Sequence, residues 1–195
     1  MPVYPRIWAK YSLSWFEETG SKYQIQFSLM RDVATLYLDT TGAGLHKRGY
    51  RAVAGAAPLR ETLAAAMVQL SKYRGREFFC DPFCGSGTIL IEAAMIAENR
   101  APGLLRRFAA ESWQISPKND WHSHRETAKT KMFLRDFELW GGDVDADAIF
   151  LAKSNAKKAG VDRCITFETA DASRFKPRHS KGILVTNPPY GERLM

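Results

Sequence analysis

The sequence predicts an α/β fold, in which helices pack against a parallel sheet and a small antiparallel hairpin precedes them. From residue 58 onward, four short apolar segments of strand length alternate with longer segments of helical character. Each of the four short segments leads into a polar or acidic residue. Alternation of this kind is typical of parallel sheets, which bind ligands at the carboxyl ends of their strands.

Length and composition favour one globular domain with a small appendage. The chain has 195 residues, of which 45% are apolar, and its formal net charge is +7. That charge suits a polyanionic partner such as nucleic acid. No apolar run approaches the roughly 20 residues that span a bilayer, and the N-terminus lacks the apolar core of a signal peptide. Three cysteines, an odd number, argue against a disulfide framework and favour a reducing cytoplasm.

The first 51 residues predict a hairpin followed by a cationic linker. Residues 22–30 alternate between apolar and polar side chains, which indicates a half-buried strand, and residues 34–39 form a second strand after a turn. A lone hairpin is marginal in water, so this one should pack on the main domain or belong to another. The glycine-broken segment 42–51 either contacts a phosphate backbone or is a solvated linker. Its candidate RNA contacts are His46, Lys47, Arg48 and Arg51.

The main domain centres on the turn Asp81-Pro82-Phe83-Cys84-Gly85-Ser86-Gly87-Thr88. An apolar strand leads into it and an apolar helix, expected over 89–99, follows. An acid at a strand end before Gly-x-Gly is typical of turns that hold nucleoside cofactors, because glycine allows a tight turn and close approach. A P-loop is excluded, since no Lys follows the second glycine, and Leu90 breaks the dinucleotide motif. The turn alone would also fit a strand-to-helix connection without a ligand.

Acids follow the next two strands. The second strand, over 137–140, leads to Asp143, and a carboxylate there can accept from both hydroxyls of a ribose. Asp145 should cap a helix over 146–159 that ends at a glycine, although both acids could merely serve as caps. The third strand, over 165–169, leads to Asp171, which can accept from an adenine amino group or be an ordinary loop aspartate.

Two further helices are predicted. The first starts at Pro58 and carries an apolar stripe expected to be buried, formed by Leu59, Leu63, Met67 and Leu70. The second lies at 126–137, inside an insertion rich in Arg, Trp and His. The insertion contains His122 and His124, but no third and fourth ligand follows with useful spacing, so no metal site is predicted.

The fourth strand, over 182–186, ends in Asn187-Pro188-Pro189-Tyr190, which indicates the chemistry. An exocyclic amine on a base or amide is a poor nucleophile, because its lone pair is delocalised. The Asn187 side-chain oxygen and the Pro188 carbonyl can both accept from such an amine and orient it, while the prolines fix φ. Tyr190 offers a ring on which a base can stack. Catalysis would then consist mainly of positioning and electrostatics.

Taken together, these motifs resemble class I S-adenosylmethionine-dependent amino-methyltransferases. The segments 38–51, 57–63, 101–108 and 187–194 narrow the resemblance to the THUMP-linked RNA methyltransferases, which are similar to bacterial enzymes that methylate guanine N2 in 23S ribosomal RNA. Such proteins are often labelled N6-adenine-specific DNA methylases. The resemblance implies S-adenosylmethionine as cofactor and RNA as partner. Its implied cofactor-binding residues are Asp81, Phe83, Gly85, Gly87, Thr88, Asp143, Asp171 and Asn187. Its implied catalytic residues are Asn187, Pro188 and Tyr190.

The chain departs from that class in its extent. A complete domain of the class has seven strands in the order 3-2-1-4-5-7-6, whereas only the first four are found here. We therefore expect a sheet of order 3-2-1-4 and a catalytic domain over 52–195 that is truncated after the Asn-Pro-Pro-Tyr motif. Residues 1–51 would be the end of a THUMP-like module plus a linker. Such a chain, isolated, is expected to be poorly stable and weakly active.

Several other functions remain open. N6-adenine DNA methylation and glutamine-amide methylation of release factors use the same amine chemistry, and a non-catalytic RNA-binding fragment would share the positive charge. The hairpin and the cationic segment 46–51 favour RNA over the other two enzyme substrates. Cysteine-dependent C5 methylation is disfavoured, because Asn187 rather than a cysteine follows the fourth strand. Cys84 is better interpreted as a small buried residue.

Overall fold

The computed structural model describes residues 19–51, 59–133 and 136–189, apart from the side chains of residues 118 and 119. The chain divides into two compact units. The first consists of residues 1–42 and 108–117, and the second of residues 43–107 and 118–195. None of the helices in the described ranges combines the length and the apolar character needed to cross a lipid bilayer.

The first unit contains the predicted hairpin. Strands β1 (Gln24–Met30) and β2 (Val33–Asp39) pair antiparallel around a two-residue turn at Arg31 and Asp32, both of which have positive φ. Such turns match the natural twist of a hairpin. After the hairpin, the Trp113 ring stacks on the Tyr23 ring with centroids 4.8 Å apart, beside a short 3₁₀ helix at Ala109–Ser112.

The expectation that β1 is half-buried is wrong for the described structure. The alternation is present, and the register places Phe27 opposite Leu36 on the more apolar face, but Phe27 is 80% exposed and Leu36 is 76% exposed. The alternating sequence therefore predicted the strand and its apolar face correctly. Burial of that face requires a second layer, which no local pattern specifies.

The second unit is built on a parallel sheet of four strands in the order β5-β4-β3-β6. The strands are β3 (Phe79–Asp81), β4 (Leu139–Asp143), β5 (Ile165–Thr169) and β6 (Ile183–Leu184). The predicted order 3-2-1-4 is confirmed. In the ranges that the structure describes, four helices accompany the sheet, namely α1 (Glu61–Leu70), α2 (Thr88–Ala97), α3 (Lys118–Thr130) and α4 (Ala146–Ala159).

The core lies between the sheet and helices α2 and α4. Helix α2 is buried on nearly every side, and Leu90 and Ile91 on it are fully inaccessible. The sequence of such a helix is a continuous apolar run, because no face of the helix is exposed to solvent. Helix α4 begins and ends where its sequence predicted. The Asp145 carboxylate accepts from the Asp147 N–H at 2.9 Å, and Gly160 closes the helix with φ of 72°.

The predicted buried stripe of α1 is wrong in its details. Leu63 is half exposed and Leu70 is 82% exposed, whereas Ala64 and Val68 are fully buried together with Glu61. Helix α1 packs against α2, and small side chains allow the two backbones to approach closely. The helix begins at Glu61 rather than at Pro58, which lies outside the described residues.

The bounds of several other elements also differ from the predictions. Strand β6 covers only Ile183–Leu184 of the expected 182–186. Strand β4 runs over Leu139–Asp143 instead of 137–140, so that it includes two glycines. The helix expected at 126–137 lies at Lys118–Thr130. That helix is largely polar and has no apolar stripe from which its position could be inferred. Just after the helix, the N–H of Phe133 donates to the carbonyl of Glu98 at 2.7 Å, a contact between residues distant in the chain.

Candidate functional site

A cavity of about 1010 Å³ opens in the second unit where the sheet strands end. It is lined by the turns after β3, β4 and β5, by the segment after β6, and by parts of α2 and α4. Most of the predicted site residues lie on this one cavity, namely Asp81, Phe83, Gly85, Thr88, Asp143, Asp171, Asn187 and Pro188. Gly87 lies behind its wall, and Tyr190 lies outside the described residues.

Asp81 ends β3 with only 1% of its surface exposed. Its Oδ1 accepts from the N–H of Phe83 at 3.1 Å, which turns the chain away from the sheet. Burial raises the pKa of this carboxyl to about 6, and the nearby Asp143 adds to the rise, while the Thr186 hydroxyl and the Phe83 N–H oppose it. A buried carboxyl of this kind gains from a cation placed in the cavity.

The two glycines of the turn have different roles. Gly87 has φ of 80°, and a Cβ there would lie 3.1 Å from both Ala152 and Phe167, so this glycine is required for close packing. Gly85 has φ of 51°, but a Cβ on it would meet no atom within 4 Å. Gly85 therefore presents bare backbone to the cavity, which is how such turns approach a ligand.

Asp143 is held in position by two backbone donors. Its Oδ2 accepts from the Gly85 N–H at 2.8 Å, and its Oδ1 accepts from the Asp145 N–H at 3.0 Å. These bonds orient the carboxylate and tie the end of β4 to the glycine turn after β3. Each oxygen keeps a further lone pair, so the group can still accept from a pair of ligand hydroxyls.

Asp171 lies after β5 and is more exposed than the other two acids. It caps a short 3₁₀ helix at Ala172–Arg174 by accepting from the N–H of Ser173 at 2.9 Å. This contact with Ser173 holds the pKa of the carboxyl below its usual range. Asp171 thus acts as a cap and also lines the cavity, so both interpretations of its sequence position apply.

Asn187 and Pro188 follow the short strand β6, which is anchored directly to β3. The N–H of Ile183 donates to the carbonyl of Phe78 at 2.8 Å, and the N–H of Val185 donates to the carbonyl of Cys80 at 3.1 Å. Because β3 and β6 are neighbours, the segment after β6 reaches the same cavity as the glycine turn after β3. Asn187 and Pro188 are exposed to solvent there.

The cations predicted to contact RNA divide into two pairs. Lys47 is exposed and His46 is half-buried. Arg48 and Arg51 instead form ion pairs inside the second unit, with Glu92 at 3.4 Å and Glu61 at 3.1 Å. All four residues stay predicted RNA contacts, although the two arginines also have structural partners.

Burial also lowers the reactivity of the Cys84 thiol. Its thiol lies in the core, and burial, with Asp81 and Asp143 nearby, raises the pKa of Cys84 far above its usual range. A thiol is nucleophilic as the thiolate, so this residue is poorly suited to attack a base.

The sequence analysis missed two residues that support the cavity wall without lining it. Asn155 on α4 is buried and donates from its Nδ2 to the carbonyl of Ser86 at 3.1 Å, which supports the glycine turn from behind. The sequence did contain a signal for this role, namely an asparagine on the apolar face of a predicted helix. Gly141 in β4 leaves space for the Leu90 and Phe167 side chains, and its signal was a glycine pair within a predicted strand.

Comparison with known proteins relates this geometry to a family. The family model described as "RMKL-like, methyltransferase domain" matches residues 48–195. A Bacillus subtilis protein named "Putative RNA methyltransferase YpsC" is 45% identical over 181 residues, which cover 92% of this chain and 47% of that protein. The "Ribosomal RNA large subunit methyltransferase K/L" of Psychromonas ingrahamii is 46% identical over 85% of this chain and 23% of its own length. The chain therefore spans half or less of these relatives.

Solved structures show the same fold. A Listeria monocytogenes structure described as a predicted N6-adenine-specific DNA methylase superposes with a TM-score of 0.89 at 44% identity, covering 97% of this chain and 50% of that one. The structure described as "SMU.472, a putative methyltransferase complexed with SAH" superposes with a TM-score of 0.83 at 38% identity, covering 91% of this chain and 47% of that one. The predicted class I methyltransferase fold is confirmed, and by its sequence and fold the chain belongs to the RMKL-like methyltransferase domain family.

Proposed function

We propose that this chain is part of an S-adenosylmethionine-dependent RNA methyltransferase that transfers a methyl group to guanine N2 of large-subunit ribosomal RNA. The observation that carries the proposal is that Asn187 and Pro188 line the same cavity as Asp143 and the glycine turn. A group that can orient an exocyclic amine thus lies beside groups that can hold a nucleoside. The proposal includes the division into residues 1–51 and 52–195, and a cytoplasmic location.

The residues of the cavity fit S-adenosylmethionine. Its volume of about 1010 Å³ accommodates a nucleoside with an amino-acid side arm. Asp143 has lone pairs available for the ribose hydroxyls, Asp171 can accept from the adenine amine, and Gly85 leaves open space beside the turn. The buried Asp81 suits a positively charged part of the ligand. When bound, the cofactor would supply a methyl group on a sulfonium, from which S-adenosylhomocysteine leaves as a neutral thioether without protonation by an acid.

The chain's own residues would position the target amine. The side-chain oxygen of Asn187 and the carbonyl of Pro188 accept from the amine N–H groups and hold the nitrogen lone pair toward the cavity. The Pro188 and Pro189 rings fix the local backbone, so these acceptors are preorganised before substrate arrives. Tyr190 is proposed to stack on the base. Most of the catalytic effect would come from positioning.

RNA as the substrate is supported by the ribosomal RNA methyltransferases among the relatives and by a second cationic segment. Residues 174–181, between β5 and β6, carry Arg174, Lys176, Arg178 and Lys181. Arg178 is paired with Glu168 at 2.6 Å, whereas the Arg174 side chain is 87% exposed beside Asp171 at the cavity. Exposed cations next to the cavity can contact phosphates on either side of a target nucleotide. His46 and Lys47 would extend this contact.

The test uses two variants and a matched control. Asp143→Ala should lose affinity for S-adenosylhomocysteine in titration calorimetry, because the ribose hydroxyls lose their acceptor. Asn187→Ala should lose methyl transfer to ribosomal RNA while keeping more cofactor affinity than Asp143→Ala. Asp162→Ala, which removes an exposed carboxylate remote from the cavity lining, should change neither quantity. Unchanged turnover in Asn187→Ala would refute the proposed mechanism.

N6-adenine methylation of DNA is the second candidate, favoured by the description of the Listeria monocytogenes structure. Nucleoside mass spectrometry on cells with and without the intact gene separates the two. Loss of N2-methylguanosine from large-subunit ribosomal RNA supports the proposal, and loss of N6-methyladenine from DNA supports the second candidate. A non-catalytic RNA-binding role would instead show salt-dependent RNA binding without any affinity for S-adenosylhomocysteine.

A further inference from the structure

The charges on the cavity wall are unevenly distributed. Five carboxylates line it, namely Asp81, Asp143, Asp145, Asp147 and Asp171. Among the described lining residues, Arg51 is the single cation. A ligand that carries both positive and negative groups would therefore find only one guanidinium for its negative group.

Arg51 is held firmly on the cavity wall. Its Nε donates to Glu61 Oε1 at 3.1 Å, and its Nη2 donates to the Leu59 carbonyl and to the Thr88 Oγ1, both at 3.0 Å. The side chain is only 13% exposed. These contacts place the guanidinium beside the first residue of α2, immediately after the glycine turn.

The partners of Arg51 leave part of its guanidinium for a ligand. Glu61 is buried and does not line the cavity, so it orients the arginine from behind. Nη1 donates to none of the residues in the described ranges. Thr88 adds a hydroxyl to the same corner of the cavity, and a guanidinium with a neighbouring hydroxyl is well suited to a carboxylate.

We propose that Arg51, oriented by Glu61, binds the carboxylate of the amino-acid portion of the cofactor. This inference rests on the proposed function, since it assigns one end of the same ligand. It gives Arg51 a role in ligand binding that its position in the cationic segment 46–51 did not indicate. The adenosine portion would contact Asp143 and Asp171 instead.

A second arginine provides a matched control. Arg48 is buried to a similar degree and pairs with Glu92 on α2, the helix on which Arg51 contacts Thr88, but it does not line the cavity. Replacing either arginine removes one partly buried ion pair to α1 or α2. Only replacement of Arg51 should alter recognition of the ligand carboxylate.

The experiment compares two ligands by titration calorimetry on the full chain. S-adenosylhomocysteine carries the amino-acid portion, and 5′-methylthioadenosine lacks it. Arg51→Met should weaken binding of the first by about 10- to 100-fold, as expected for loss of hydrogen bonds to a charged group, and leave the second unchanged. Arg51→Lys should recover part of the affinity, and Arg48→Met should keep the ratio of the two affinities at its wild-type value.

The outcomes distinguish this inference from the proposed function. If the wild-type chain binds neither ligand, the proposed function and this inference both fail. If the wild-type chain binds both, and Arg51→Met weakens both equally or neither, only this inference is overturned. Thermal melting checks each variant, and Arg51→Met combined with Glu61→Gln serves if the buried Glu61 prevents the single variant from folding.

Discussion

Asp81 lies at the end of β3 almost without solvent contact, and burial raises its pKa from an ordinary value of 3.8 to about 6. A carboxyl with a raised folded-state pKa binds more protons in the folded than in the unfolded chain across that interval. The stability contribution of Asp81 therefore falls as pH rises from about 4 to about 6 and stays low above. At neutral pH the ionised group destabilises the empty domain.

Asp81→Asn should consequently stabilise the chain at pH 7.5 by about 1–3 kcal/mol, because a buried charge is replaced by a neutral group of the same shape. The gain should shrink toward zero below about pH 4, where the wild-type carboxyl is protonated in both states. Urea unfolding of both proteins at several pH values measures this difference. A difference independent of pH would contradict the assigned cause.

The same substitution should weaken binding of S-adenosylhomocysteine, since the cavity would lose a carboxylate suited to a ligand cation. Stability and ligand binding would then move in opposite directions, as is common for residues of functional sites. The comparison also separates Asp81 from a purely structural residue, for which both quantities would fall together.

At the scale of elements, the turn between β3 and α2 connects sequence to site most directly. Its position was predictable, because an acid, two glycines and a following apolar helix form a local pattern. The different roles of the two glycines could not be predicted, because a Cβ on Gly87 would contact Ala152 and Phe167, which are 65 or more positions away in the chain.

Because the two glycines have different roles, replacing each by alanine should affect stability and ligand binding differently. Both positions have positive φ, which costs roughly 1–2 kcal/mol for an alanine. Gly87→Ala must also displace the side chains of Ala152 and Phe167, so it should destabilise more, by about 2–4 kcal/mol in total. Gly85→Ala should lose only the stability that the positive φ costs an alanine. It should also reduce cofactor affinity, since the new Cβ enters open space at the cavity.

Denaturant unfolding and ligand titration of the two variants test this prediction together. Equal destabilisation by the two substitutions would contradict the packing role of Gly87. An unchanged ligand affinity in Gly85→Ala would show that the ligand does not approach that part of the turn.

At the scale of the whole molecule, the two units differ in how their strands are supported. Strand β3 in the second unit has a neighbour on each side and is buried along its length. The hairpin in the first unit has two strands, and its apolar face is exposed in the described structure. Two-stranded hairpins are marginally stable in water.

Amide hydrogen exchange should therefore differ sharply between the units. Amides of β3 and β4 should exchange only on global unfolding, whereas those of β1 and β2 should exchange by local opening at a much lower free energy. Exchange measured by mass spectrometry or NMR at neutral pH provides the comparison. Similar protection of the hairpin would mean that its apolar face is covered in solution.

The sequence alone specifies the α/β class, the limits of α4 and the set of acids at the strand ends. These features depend on interactions between residues close in the chain, such as the Asp145 cap, or on motifs that keep their spacing, such as the glycine turn. The resemblance to the family also followed from those motifs, since the glycine turn and the amine-binding segment are each recognisable from a few consecutive residues. The order of the strands was then predicted from that resemblance.

Tertiary packing determines which face of α1 is buried, where the insertion helix lies, and what Arg51 contacts. The partners of these groups are distant in sequence. Arg51 reaches Thr88, and Phe133, just after the insertion helix, contacts Glu98. A residue's type limits which contacts it can make, but the packing of separate elements selects among them. The guanidinium that sequence reasoning assigned to RNA therefore lies on the cavity wall.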